Sequence, residues 1–152
     1  MDCELCDFRT YAKDNIFETG HWVVTLASEE QAYLGRAYVK LRRHCTDLAD
    51  LTGEEWNELH RVIGRYERAV RSAFGADLFN WACLMNGAFQ HDNPSPHVHF
   101  HVRPRYKSGV EFAGAKFEDT EFGYNYSRER KHNPGEDVAK KIVEELKRND
   151  RS

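Results

Sequence analysis

No stretch of this sequence is apolar enough for long enough to cross a bilayer, it contains no internal repeat or low-complexity tract, and only four of its residues are proline. These absences exclude a bilayer-spanning helix and a repeat architecture. Charge of one sign is missing too. The 22 Lys and Arg face 25 Asp and Glu, a net charge of −3 at pH 7, with both signs scattered along 152 residues. No global field steers such a chain toward nucleic acid or an anionic membrane, so any polyanion site must be local. The first residues, Met1-Asp2-Cys3-Glu4-Leu5-Cys6-Asp7, lack the basic residues and apolar run of a secretory signal, which predicts a soluble, cytoplasmic protein. In a reducing compartment Cys3, Cys6, Cys45 and Cys83 read as metal ligands or buried thiols rather than a disulfide framework. What is present suffices for one core: 40% hydrophobic and 12% aromatic residues predict a single domain over residues 1–152.

The clearest helix spans 52–74, opened by the Thr52-x-x-Glu55 capping box and closed before Gly75. Trp56, Leu59, Ile63, Tyr66, Val70 and Phe74 fall on one face at helical spacing. A second helix is expected from Asn133-Pro134, with Val138, Ile142 and Leu146 as its buried stripe. Strand-like runs at 21–26, 37–41, 79–85 and 97–103 are rich in β-branched and aromatic residues. Strands, helix, strands, helix predicts an α+β domain with a mainly antiparallel sheet.

The most informative segment is Pro96-His97-Val98-His99-Phe100-His101-Val102-Arg103-Pro104-Arg105, where polar and apolar residues alternate without a slip. On a strand Val98, Phe100 and Val102 then enter the core, while His97, His99, His101 and Arg103 share the other face. Imidazole is the side chain best suited to act as nucleophile, acid or base near neutral pH. One alternative makes all three imidazoles ligands of a single metal. Cys3-x-x-Cys6, for its part, reads as a zinc half-site, a redox pair or two unrelated thiols, and spacing alone does not choose.

His-x-His-x-His followed by apolar positions resembles the histidine triad (HIT) family. Further likeness lies in Cys3-x-x-Cys6, the 35–44 segment, Asn86 and Pro104-Arg105, covering residues 1–106 and leaving 107–152 as a C-terminal loop and helix. The resemblance implies a HIT-like α+β fold with a five-stranded antiparallel sheet and two helices, a homodimer, and hydrolysis or transfer of nucleotidyl groups through a covalent nucleotidyl-histidine. It implies His99 as nucleophile and His101 as the residue that contacts the phosphate and protonates the leaving group, with Asn86 and Asn93 cradling the phosphate. It further implies one structural zinc per chain on Cys3, Cys6, His44 and His97, leaving Cys45 and Cys83 as buried small hydrophobes. Two positions depart from the pattern. Ser28, with Glu29 beside it, stands where nucleotide-binding members carry an acid for the ribose hydroxyls. Arg103 stands where the family keeps an apolar residue, and it favours a substrate with more than one phosphate. The aromatic 107–131 segment, with Phe112, Phe117, Phe122, Tyr124 and Tyr126 beside Arg128, Arg130 and Lys131, could cover the site or the dimer seam, and is expected rather to be a packed surface loop; His21, His60, His91 and His132 are given no role. The alternative to an enzyme is a zinc-stabilised nucleotide-binding or interaction module with little turnover.

Overall fold

Antiparallel pairing sets the frame in the computed structural model, which describes residues 3–152; Met1 and Asp2 of the N-terminal reading lie outside the described residues. Five strands, β1 (Asn15–Glu18), β2 (Trp22–Leu26), β3 (Ala37–Leu41), β4 (Leu78–Cys83) and β5 (His99–Arg105), form one sheet in the order β1-β2-β3-β5-β4. Every pairing in it is antiparallel. β1 is a four-residue strand with a register shift against β2, too short to show alternation in the sequence. The other four coincide with the predicted runs to within two residues at their paired ends.

Helix α1 (Gly53–Phe74) begins as its sequence dictates: the Thr52 hydroxyl accepts from the Glu55 N–H, and the Glu55 carboxylate accepts from the Thr52 N–H at 2.8 Å. It ends at Gly75, whose φ of +74° is the left-handed cap that glycine takes without a Cβ penalty. Its buried stripe is Leu59, Val62, Tyr66, Ala69, Val70 and Phe74. Trp56, expected in that stripe, sits on the rim at 44% exposure with its ring edge toward Phe100. Helix α2 (Glu136–Asn149) starts after Gly135 rather than at Asn133, and buries Ala139, Ile142, Val143 and Leu146, with Val138 at the edge of the core.

Both helices pack on one sheet face. Trp22, Val24, Leu26, Val39, Leu41 and Val102 meet Leu59, Val62, Tyr66, Val70, Ile142 and Leu146 in a single apolar cluster. The indole N–H groups of Trp22 and Trp81 donate to the Glu55 carbonyl and the Glu67 carboxylate on α1. Gly35 permits the closest approach in this layer. Its φ is +83°, a Cβ there would meet Pro104 Cγ at 3.3 Å and Val70 Cγ1 at 3.4 Å, and its carbonyl accepts the buried Tyr66 hydroxyl at 2.6 Å.

The opposite face carries the histidines, and of the chain after β5 only the part beyond Phe117 returns over it, while the part before packs Phe112 on Phe74 of α1. The segment is not loop throughout. It forms a hairpin, β6 (Val110–Phe112) and β7 (Ala115–Phe117), turned by Ala113 and Gly114 at φ +50° and +78°. Beyond the hairpin it is tied to the sheet by Arg105, whose guanidinium donates to both Asp119 carboxylate oxygens (2.6 and 3.1 Å), to Asn80 Oδ1 (3.0 Å) and to the Tyr124 and Glu121 carbonyls (2.9 and 2.8 Å).

Removing one partner of this buried pair strands the other. Asp119→Ala is expected to lower unfolding free energy by roughly 3–5 kcal/mol in urea titration, the largest loss of any single carboxylate. A second prediction concerns acid. The Arg43 guanidinium, at 2.6 and 2.9 Å, holds the Glu55 carboxyl at about 2, and the Thr52 N–H acts in the same direction. A depressed folded value means that this stabilisation is complete above the unfolded carboxyl value and is lost as pH falls through the folded one. Glu55→Gln is therefore expected to cost about 1–2 kcal/mol at pH 7, with the gap to wild type closing between about pH 4.5 and pH 2.

Candidate active site and metal centre

Register decides which side chains meet. Lys40 pairs with His99 and Tyr38 with His101, so all four project from the sheet face away from the helices, with Arg103 one further step along β5. Of these, His99, His101 and Arg103, together with His97, line a cavity of about 680 Å³. Asn86, from the 3-10 turn after β4, and Asn93, from the following loop, line the same cavity. The sequence therefore nominated residues that the fold does bring together. Ser28 is the exception: it lies outside this lining and sits beside Asp14.

Proton positions follow from the acceptors. His99 Nδ1 lies 2.8 Å from the His97 carbonyl, which can only accept, so the proton is on Nδ1 and Nε2 carries a free lone pair. His101 Nε2 lies 3.0 Å from that bare nitrogen and 3.3 Å from the Leu84 carbonyl. Both neighbours are acceptors, so His101 is the Nε2–H donor. Burial is the largest cause that lowers both rings; His101 is held at about 4, and His99 is also pushed down by the Lys40 ammonium against the opposing pull of the His97 carbonyl. Both are neutral at pH 7. Tyr38 sets its ring edge-on to His101 and His99, with centroids 5.2 and 6.3 Å away. Lys40 is wholly buried; its ammonium lies 3.2 Å from the Tyr11 ring centroid, and burial holds it at about 8.

His97 turns elsewhere. Strand pairing begins only at His99; the His97 ring, buried, donates from Nε2 to the Leu41 carbonyl at 2.8 Å and presents Nδ1 to Cys3 Sγ and Cys6 Sγ at 3.4 and 3.3 Å. Cys6 Sγ is also 3.4 Å from His44 Nδ1. The ligand atoms of Cys3, Cys6, His44 and His97 all lie within 4.8 Å of one another. Such spacings fit a tetrahedron with metal–sulfur bonds near 2.3 Å and metal–nitrogen bonds near 2.0 Å. The Leu41 carbonyl is the outer partner that fixes which His97 nitrogen is bare. Burial first, then the neighbouring Cys3 thiol, raises the Cys6 thiol to about 11. The donor set suits zinc. The reading of three triad imidazoles on one metal is corrected by this geometry, since His97 faces the thiols while His99 Nδ1 is bound to backbone.

The sequence missed Arg36, just before β3, and Ser127, whereas Arg128 and Lys131, named with the aromatic segment that could cover the site, do line the wall after β7. Tyr38 and Lys40 were open to the same alternation argument as the histidines, whereas nothing local marks a loop that returns over a sheet more than twenty residues later.

No protein-family model matches this sequence, and no curated protein matches it either. Solved structures do. A hypothetical histidine triad nucleotide-binding protein from Sulfolobus tokodaii superposes with a TM-score of 0.70 at 15% identity, covering 97% of this chain and 91% of the other. A Zn-bound histidine triad family protein from Mycobacterium smegmatis gives 0.67 at 23% identity over 98% and 93%. A uridylyltransferase gives 0.66 at 16% identity, covering 97% of this chain but 45% of its own. The chain has the fold of the histidine triad proteins, and its Cys3, Cys6, His44 and His97 form a cluster that could hold a metal ion.

Titration with Co2+, a spectroscopic stand-in for zinc, is expected to give tetrahedral thiolate–metal bands, and His44→Ala should weaken uptake by at least about tenfold. Equal affinity in the variant would remove His44 from the ligand set.

Proposed function

We propose that the protein cleaves or transfers the nucleotidyl group of a phosphoanhydride or phosphoramidate substrate, of the dinucleoside polyphosphate or nucleoside phosphoramidate type, through a covalent adduct on His99. The observation that carries this reading is the bare His99 Nε2, forced by the Nδ1–H to His97 carbonyl bond and facing a cavity beside a second neutral imidazole that donates. The His99 lone pair forms the bond to phosphorus as the bond to the leaving atom breaks. The electron pair departs with that atom, and His101 Nε2–H supplies its proton. Water then attacks phosphorus, its proton returns to His101, and the P–N electron pair returns to Nε2. Asn86 and Asn93 hold the phosphate oxygens by their side-chain amides.

Zinc on Cys3, Cys6, His44 and His97, one per chain, would supply a closed four-ligand cross-link and no open position for chemistry. It would tie the N-terminal segment to His97, two residues before the catalytic strand. Two further parts of the reading are a single HIT-like domain that pairs as a homodimer, for which β4 offers an unpaired edge with Leu78 46% exposed, and residence in the cytoplasm, where its thiols remain reduced. Among the described residues no helix is long and apolar enough to cross a membrane.

Wild type and His99→Ala are to be incubated with a panel of adenylate and guanylate conjugates and quenched without acid. Wild type is expected to show a nucleotidyl adduct by mass spectrometry, and the variant to lose the adduct and at least about a thousandfold in kcat. Turnover surviving in the variant would overturn the mechanism. Nucleotide binding without adduct or turnover in wild type would instead identify a binding module.

A further inference from the structure

Arg103 is 5% exposed and lines the cavity, yet among the described residues it has neither a carboxylate partner nor a hydrogen bond. Its guanidinium rests 4.0 Å from the Tyr126 ring centroid, a stacking contact that leaves its five N–H donors unspent. Its nitrogens are not among the sealed, partnerless polar atoms of the interior, so they open onto the cavity, where an anion would gain charge-assisted hydrogen bonds from them. The neighbouring cations add to that attraction. Arg36, 8% exposed, reaches the same cavity; its Nη1 pairs with Glu30 and its Nη2 donates to the Tyr38 hydroxyl at 3.4 Å, while its buried Nε has no partner. Arg128 and Lys131 stand exposed at the mouth. The cavity lining thus holds four cations against two carboxylates, Glu4 and the already paired Glu30, in a chain whose net charge is −3. Desolvation first, and then the Arg36 charge, lower the Arg103 guanidinium from its ordinary value, against the opposing pull of Tyr126, Tyr38 and the Glu30 carboxylate.

Position turns this into a statement about substrate. Arg103 follows His101 by two residues on the same strand face, about 7 Å along an antiparallel strand, on the side away from His97 and the cysteines. Resting on the His99 nucleophile and His101 donor proposed above, we propose that Arg103, flanked by Arg36, binds a second phosphate carried by the leaving group, so that the substrate is a phosphoanhydride of two or more phosphates rather than a phosphoramidate. When the bond from phosphorus to the bridging oxygen breaks, that oxygen keeps the electron pair, and negative charge builds on the departing phosphate in the transition state until the His101 proton reaches it. A fork of N–H donors beside it then binds more tightly than in the ground state.

The probes are AMP, ADP, adenosine 3′,5′-bisphosphate and inorganic tripolyphosphate, measured by calorimetry on zinc-loaded protein. Wild type is expected to bind ADP at least about tenfold more tightly than AMP. Arg103→Met should abolish that gain, lower tripolyphosphate affinity by a similar factor, and leave the 3′,5′-bisphosphate close to AMP. Arg103→Lys, which keeps the charge without the fork, should restore part of the ADP gain and serves as the folding control, together with circular dichroism of both variants. An equal loss for AMP and ADP, or a loss confined to the 3′,5′-bisphosphate, would overturn the assignment. Arg103-dependent tripolyphosphate binding in a protein that forms no His99 adduct would uphold the subsite while removing the transfer mechanism, so the two readings fail separately.

Discussion

Two imidazole N–H groups donate to backbone carbonyls, His97 to Leu41 and His99 to His97, and the rest of the site depends on where those bonds put the protons. A carbonyl accepts and never donates, so each bond leaves the opposite ring nitrogen bare. For His97 the bare atom is Nδ1, and it faces two thiols. For His99 it is Nε2, and it faces the cavity. Sheet geometry thus assigns adjacent histidines of one motif to different tasks without any difference in residue type. The Leu41 carbonyl that orients His97 belongs to β3, and the His97 carbonyl that orients His99 is its own chain two residues back, so sheet pairing and local backbone jointly set the chemistry.

The sequence disclosed the parts of this arrangement that obey a short period. The alternation from His97 to Arg105 identified the face on which the histidines lie, and Thr52-x-x-Glu55 located the start of α1 to the residue. It failed where non-local contacts decide. β1 is a strand because Trp22–Leu26 offers it an edge, not because Asn-Ile-Phe-Glu alternates. Trp56 has the right spacing for the α1 stripe but falls at the margin of the sheet, and Val62 and Ala69 take the buried positions. The return of the chain beyond Phe117 over the sheet left no periodic trace. Its anchor is the pairing of Arg105 with Asp119 fourteen positions later, and no local pattern announces such a bond.

Lys40 shows the cost of reading residue type without register. A lysine in a run of Ala-Tyr-Val-Lys-Leu suggests a solvated strand face, yet Tyr11 of the N-terminal segment covers it and Asp14 is the opposing charge nearby. The same face holds His99, so a buried cation lies across from a half-buried imidazole, and both are driven toward their neutral forms. The alternation that picked out the histidines applied equally to Tyr38 and Lys40; register, not composition, is what joins the two strands into one site.

Arg103 and Arg105 sit two residues apart on that same face, both almost completely buried, and they separate structural from functional burial. Arg105, 1% exposed, is met on every side: a bidentate carboxylate, an amide oxygen and two carbonyls use its donors, and it closes the C-terminal segment onto the sheet. The fold itself supplies its counter-ion. Arg103 has an aromatic face beneath it, a like charge beside it and open cavity in front. Burial that the fold satisfies holds structure together; a guanidinium that the fold stacks on Tyr126 and leaves open to a cavity, as at Arg103, keeps its donors free for the anion proposed above.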